Sequence, residues 1–243
     1  MSRSIGLALI ALLFFPLLAP AQTALPSSAD VIEKVSPAIA TVLAGKLPTE
    51  ADSFGSAVVV RENGILLAPY HVVKDAKAVQ IRFKNGEVFD EVQLLGVDTR
   101  RDVAALRITA SALPLLPIGS AAKAKSGDSV FVVSNPSAKA WSADLGTVNA
   151  YRLSDGVPGA GTGYRVLQLS APAFSANDGL VVDDQGRALA LVVRANSGEM
   201  LYAVPLENVL GLTEVPVKFS YVSGVALQPP GSSQPHSEPS YAA

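Results

Sequence analysis

Short apolar runs separated by turn residues recur from Phe54 almost to the end of the chain, and this rhythm constrains the fold more than any other feature. Residues 56–60 are followed by Glu62-Asn63-Gly64 and then by the apolar 65–67. Residues 78–83 alternate, with Val79, Ile81 and Phe83 on one face, and Asn85-Gly86 is a strong two-residue hairpin signal leading into Val88-Phe89 and 92–97. Further runs fall at 103–108, 130–133, 146–148, 164–169, 180–182, 188–193 and 201–204, and the last hairpin turns at Asp183-Asp184-Gln185-Gly186. Residues 113–119 carry two prolines and read as an edge segment. Helices are expected only at 28–35, stopped by Ser36-Pro37, and in the short piece opened by Pro205. About a dozen short strands with almost no helix between them exclude a βαβ sheet and predict an all-β antiparallel fold, one barrel per half.

The chain opens with Arg3, an apolar segment from Ile5 to Leu18 broken only by Gly6 and Pro16, and then Ala19-Pro20-Ala21. That order is expected of a signal peptide over residues 1–21, cut after Ala21, and it sends the mature protein to the periplasm or beyond. No later apolar run is long enough to span a membrane once the signal is removed. Residues 22–50 read as a linker, a short helix and a strand, residues 51–219 as the folded domain, and residues 220–243 as a disordered Pro/Ser-rich tail. There is no cysteine, so stability rests on a buried core, and thiolate metal sites and cysteine nucleophiles are excluded. A net charge of −2 without a basic patch argues against nucleic acid. No cofactor or metal is expected, because only two histidines are present and His236 lies in the tail.

His71 ends the apolar stretch 64–73 and is the one imidazole available to the folded part for acid–base chemistry near neutral pH. The alternative is a histidine that caps the strand and bonds only to backbone. Asp102 opens the run 103–108 and is open to two readings as well. It either orients His71 or forms a surface ion pair with Arg100 or Arg101.

In order, the chain carries Gly55-Ser56-Ala57, His71-Val72-Val73, Asp102-Val103-Ala104-Ala105-Leu106, Ser134-Asn135-Pro136, Gly146-Thr147-Val148, residues 168–172, the hairpin ending at Gly186, and Leu201-Tyr202-Ala203-Val204-Pro205. From about residue 28 to 212 this series resembles the trypsin-like domain of the HtrA/Deg family of exported bacterial serine proteases. The matching family pieces are a GSG turn, a strand ending in HVV, DLAVL, GNP, SG-x-V-S, GNSGGPLV and a final FAIP. The resemblance implies two six-stranded antiparallel barrels with the catalytic groups in the cleft between them. It places His71 as general base and Asp102 as the carboxylate that fixes its tautomer.

The same resemblance leaves no serine where the nucleophile belongs. Anchored on Gly179 and Gly186, the serine position is Asn177; matched instead through the family's asparagine, it is Asp178. An amide is no nucleophile, and a carboxylate beside His71 would pair with the imidazole rather than be activated by it. Ser175, two residues from the aligned position, is the alternative nucleophile. The oxyanion loop would run from Ser175 to Gly179, the one glycine between Ser170 and Gly186. Ala68 and Ala57 also replace a threonine and a glycine of the family pattern. Too few residues follow Ser223 for the PDZ domains that the family often carries. The expectation is therefore a degenerate protease, or pseudoprotease, that keeps a cleft for an extended polypeptide, paired along Val193-Arg194-Ala195. The alternatives are an active endopeptidase using Ser175 with His71 and Asp102, or a purely structural interaction domain. The oligomeric state is left open.

Overall fold

The computed structural model describes residues 25–47, 50–135, 138–155, 157, 162–174, 176, 178–195, 200–214, 219–222 and 225–227. The expected signal peptide, Ser175, Asn177 and the end of the tail lie outside the described residues.

Helix α1 (Ser28–Val35) begins where Ser27 accepts the Asp30 N–H and Asp30 in turn accepts from the Ser27 backbone, a reciprocal cap that satisfies donors left free at a helix start. Strands then follow in quick succession: β1 (Ile39–Leu47), β2 (Glu50–Arg61) and β3 (Ile65–Pro69). The one-turn helix α2 (Tyr70–Val73) comes next, then β4 (Ala78–Phe83), β5 (Val88–Phe89), β6 (Glu91–Asp98) and β7 (Val103–Ile108). The second half contains β8 (Ser129–Ser134), β9 (Ser142–Leu153), β10 (Arg165–Ser170), β11 (Gly179–Asp183), β12 (Ala188–Ala195) and β13 (Met200–Pro205). A short hairpin, β14 (Phe219–Val222) and β15 (Val225–Leu227), ends the described chain.

Strands β8 to β13 close into a six-stranded barrel in the order β10-β13-β12-β11-β8-β9. The first half curls more openly, as β6-β7-β3-β2-β1-β4-β5, and its β6 edge is extended by β14 and β15. The all-β, trypsin-like architecture of two antiparallel units therefore holds, although the first unit is a curled seven-stranded sheet where a closed six-stranded barrel was expected. Two local expectations also change. The proline-bearing segment 113–119 joins the sheet only through one parallel bridge, Ile118 to Ala188, because Pro114 and Pro117 lack the N–H groups a ladder needs. Residues 219–222, which straddle the start of the expected tail, pair antiparallel with β6 from Phe219↔Leu94 to Val222↔Glu91.

The β2–β3 turn shows why the chain reverses where it does. Gly64 has φ +87°, and a Cβ there would lie 2.2 Å from the Ile108 carbonyl oxygen. The close approach lets Ile108 N–H donate to the Gly64 carbonyl at 2.9 Å, which locks β3 beside β7. Every residue of β3 is buried, so this strand reads as a continuous apolar run rather than an alternation.

Each half has its own core, around Leu66, Ile81 and Leu106 in the first and around Val148, Leu167 and Ala203 in the second. A third cluster lies between them. There Val58, Leu67 and Ala105 of the first unit meet Phe131, Val133, Leu180 and Val193 of the second, and α1 contributes Val31 and Val35. At roughly 25 cal/mol per Å² of apolar surface removed from water, this shared layer is what holds the two units face to face.

Candidate active site

The seam between the units passes directly under α2. Pro69 ends β3, and the chain turns through Tyr70-His71-Val72-Val73, with Val72 and Val73 buried and His71 left at the surface of the seam. Tyr70 N–H donates to the Asp102 carbonyl at 2.9 Å. Asp102 opens the turn into β7 with φ +57°, a left-handed conformation that costs most side chains about 1 kcal/mol and that aspartate tolerates. That backbone twist aims its carboxylate at His71. Oδ1 accepts the His71 backbone N–H at 2.7 Å, and Oδ2 lies 2.5 Å from the ring Nδ1. Two contacts from one carboxylate fix both the position of the residue and the plane of its ring.

The competing readings of these two residues are separated by geometry. Arg101 pairs with Asp98 at 2.5 Å, which leaves the Asp102 carboxylate to the histidine. The ring Nδ1 of His71 faces a carboxylate rather than a backbone carbonyl. With Nδ1 engaged, Nε2 is the nitrogen available for proton exchange with anything bound in the cleft.

Asp178 stands immediately before β11, 3% exposed, and its Oδ1 accepts the backbone N–H of Ser56 on β2 at 3.1 Å. Burial pushes its carboxyl up to about 6 from the ordinary 3.8. The neighbouring Ser56 groups and the charge of His71 oppose that shift without cancelling it. Gly55 is what makes room, since a Cβ there would meet Val72 Cγ2 at 2.7 Å and Asp178 Oδ2 at 2.9 Å. Gly179, expected to end an oxyanion loop, is the first residue of β11. It pairs with Val192, and a Cβ there would lie 3.1 Å from the Val133 carbonyl oxygen.

Sequence reasoning missed Ser56, the partner of Asp178, and the polar residues bonded to it in turn. Asn135, just past β8, donates its N–H to Ser56 Oγ at 3.3 Å and its Nδ2 to Thr41 Oγ1 at 2.9 Å, while its Oδ1 is buried without a partner among the described residues. Thr41 and Ser56 face each other in the β1–β2 register, the one available signal that two small hydroxyl residues share this spot. Among the described residues no cluster of three or more histidine, cysteine or acidic side chains is arranged to hold a metal ion. A polar cavity of about 730 Å³ lies away from His71 and is lined by Lys123, Asp128, Asp183, Arg187 and Glu207 among others.

A closed antiparallel barrel set against a curled sheet, with a histidine–aspartate couple at their seam, defines the trypsin-like class of peptidase folds. The chain belongs to the family described as the trypsin-like peptidase domain, which matches residues 55–191. Within it the chain is HtrA/Deg-like. It is 29% identical over 188 residues to the mitochondrial serine protease HTRA2 of Bos taurus, covering 74% of this chain and 41% of that protein. Identity to the serine endoprotease DegS of Haemophilus influenzae is 32% over 101 residues, covering 42% of this chain and 29% of that one. The solved structure of the HtrA-type protease AlgW with tripeptide superposes with a TM-score of 0.67 at 26% identity, over 78% of this chain and 64% of that one. The chain thus spans 41% or less of the length of these two curated relatives.

Proposed function

We propose that this protein is an exported, catalytically degenerate trypsin-like serine protease whose cleft binds extended polypeptide. One observation carries the reading: beside the His71–Asp102 couple, the residue that leads into β11 is a buried acid, Asp178, with its carboxyl committed to Ser56. His71 activates a hydroxyl by accepting its proton, and a carboxylate has no such proton to give at neutral pH. Losing the nucleophile of such a triad costs on the order of 10⁶ in turnover.

Support for peptide binding comes from β12. Its partner β11 stops at Gly179↔Val192, so among the described residues Arg194 and Ala195 have a strand neighbour only on the β13 side, and Val193 falls at the register shift between them and Val192. A free edge next to the seam is the geometry on which an extended peptide adds as another strand. The HtrA-type protease AlgW has been solved with a tripeptide, which is consistent with peptide binding. The apolar opening of the sequence supports export.

The purified protein is expected to resist labelling by a fluorophosphonate probe, to leave casein intact, and to retain members of an immobilised peptide library. Asn177→Ser and Asp178→Ser, made in parallel, test which position lost the hydroxyl. Stoichiometric labelling of the unmodified protein that disappears in Ser175→Ala would overturn the proposal.

A further inference from the structure

The polar contacts around Ser56 form a chain of their own, and every bond in it spans the two units. Thr41 on β1 and Ser56 on β2 belong to the first; Asn135 after β8 and Asp178 before β11 belong to the second. Three buried hydrogen bonds join them: Ser56 N–H to Asp178 at 3.1 Å, Asn135 N–H to Ser56 Oγ at 3.3 Å, and Asn135 Nδ2 to Thr41 at 2.9 Å. Among the described residues this chain holds one acceptor too many, because Asn135 Oδ1 is buried and receives nothing from them. A carboxylate in the same seam adds a second under-supplied acceptor, and buried acceptors without donors are costly.

We propose that this seam is a proton-operated latch, in which a proton on Asp178 draws the two units together and its loss admits water between them. A neutral carboxyl still accepts the Ser56 N–H and adds a donor to a seam that is short of them. An ionised one places a buried charge whose only ionisable neighbour among the described residues is His71 on α2, itself engaged by Asp102 at 2.5 Å. Among the described residues the groups shown around it on β2 and α2 are neutral: Gly55, Ser56 and Val72. The charge of His71 offsets only part of the cost of burying that carboxylate, so proton and seam are coupled.

The direction follows from the raised carboxyl. The native fold holds the Asp178 proton more tightly than the unfolded chain does, so the stability it contributes is complete below about pH 4. That contribution is lost as pH rises through about 6, and the latch is shut in mild acid and slack at neutral pH. The latch rests on these contacts alone, whether or not the cleft takes a peptide.

The test uses the full chain and its single tryptophan, Trp141, which packs against the apolar cluster between the units. Urea midpoints followed by Trp141 emission at several values between about pH 4 and pH 8 are expected to fall between about pH 4 and pH 6 and to level off above that. In Asp178→Asn that component of the fall is expected to vanish. In His71→Gln, removal of the neighbouring charge is expected to shift it to higher pH. Identical pH profiles for the unmodified protein and Asp178→Asn would overturn the latch. Should Asp178→Asn fail to fold, carboxyl ¹³C titration of the unmodified chain decides. An aspartate with a midpoint near 6 that moves up in His71→Gln upholds the proposal, and aspartates that all titrate below about 5 refute it.

Discussion

Replacing Asp102 separates the three things that this residue does, and the structure assigns each a magnitude. Its side chain accepts two hydrogen bonds from His71, at 2.7 Å and 2.5 Å, and its backbone holds φ +57°. A hydrogen bond to a charged group is worth about 1.5–3 kcal/mol, and a left-handed residue with a Cβ costs about 1 kcal/mol. Asp102→Ala loses both bonds and keeps the strain. Because the His71 side chain is 36% exposed, water replaces part of what is lost at the ring, and the total comes to about 3–4 kcal/mol. Asp102→Gly loses the same bonds but relaxes the backbone, so it should cost about 1 kcal/mol less than alanine. Asp102→Asn keeps an oxygen for the His71 N–H and tolerates the left-handed region, and about 1 kcal/mol should be lost. Urea unfolding near pH 7, followed by circular dichroism, reads all three. The expected order of damage is Asn, then Gly, then Ala. If glycine proves as damaging as alanine, the strain argument fails; if asparagine matches alanine, the backbone contact through Oδ1 is not what holds α2.

Further outcomes follow from single features. Moving the Asp178 carboxyl from 3.8 to about 6 corresponds to about 3 kcal/mol at 1.36 kcal/mol per unit, so Asp178→Asn should gain up to that amount at neutral pH and nothing in strong acid, as read by urea midpoints. Gly64→Ala should cost more than about 3 kcal/mol, because its Cβ would strike the Ile108 carbonyl rather than a movable side chain; Gly86→Ala, also left-handed but in open space, should cost only about 1 kcal/mol, and paired thermal melts compare them. Leu66→Ala, at a fully buried position in the middle of β3, should lose about 2–5 kcal/mol in the same assay.

What the sequence made legible was local. Asn85-Gly86 marks a hairpin because few residue pairs turn so tightly, and the apolar run ending at His71 marks a buried strand because all its side chains are inward. Asp102 was legible only as one of two alternatives, since a spacing says nothing of the positive φ that turns its carboxylate from the arginines to the histidine. The bond from Ser56 to Asp178 joins residues 122 positions apart and was beyond any local pattern. The β14–β15 hairpin escaped notice for a different reason. Its neighbours are rich in proline and serine, and the pairing that forms it is supplied by β6, far back in the chain.

The two ends of the described chain are crossed. Helix α1, at the start, reaches over to the second unit, where Ser28 Oγ donates to the Ala143 carbonyl at 2.7 Å and Lys34 donates to the Gln185 carbonyl. Strand β14, near the end, returns to cover the edge of the first. Each half is therefore buckled shut by a piece of sequence that lies beyond the other. A cut between β7 and β8 would strand both buckles on the wrong fragment. During synthesis the β6 edge stays bare until nearly the whole polypeptide has emerged, which makes this protein a poor candidate for splitting into separately folded halves and a good one for reassembly of two fragments only when both are present together.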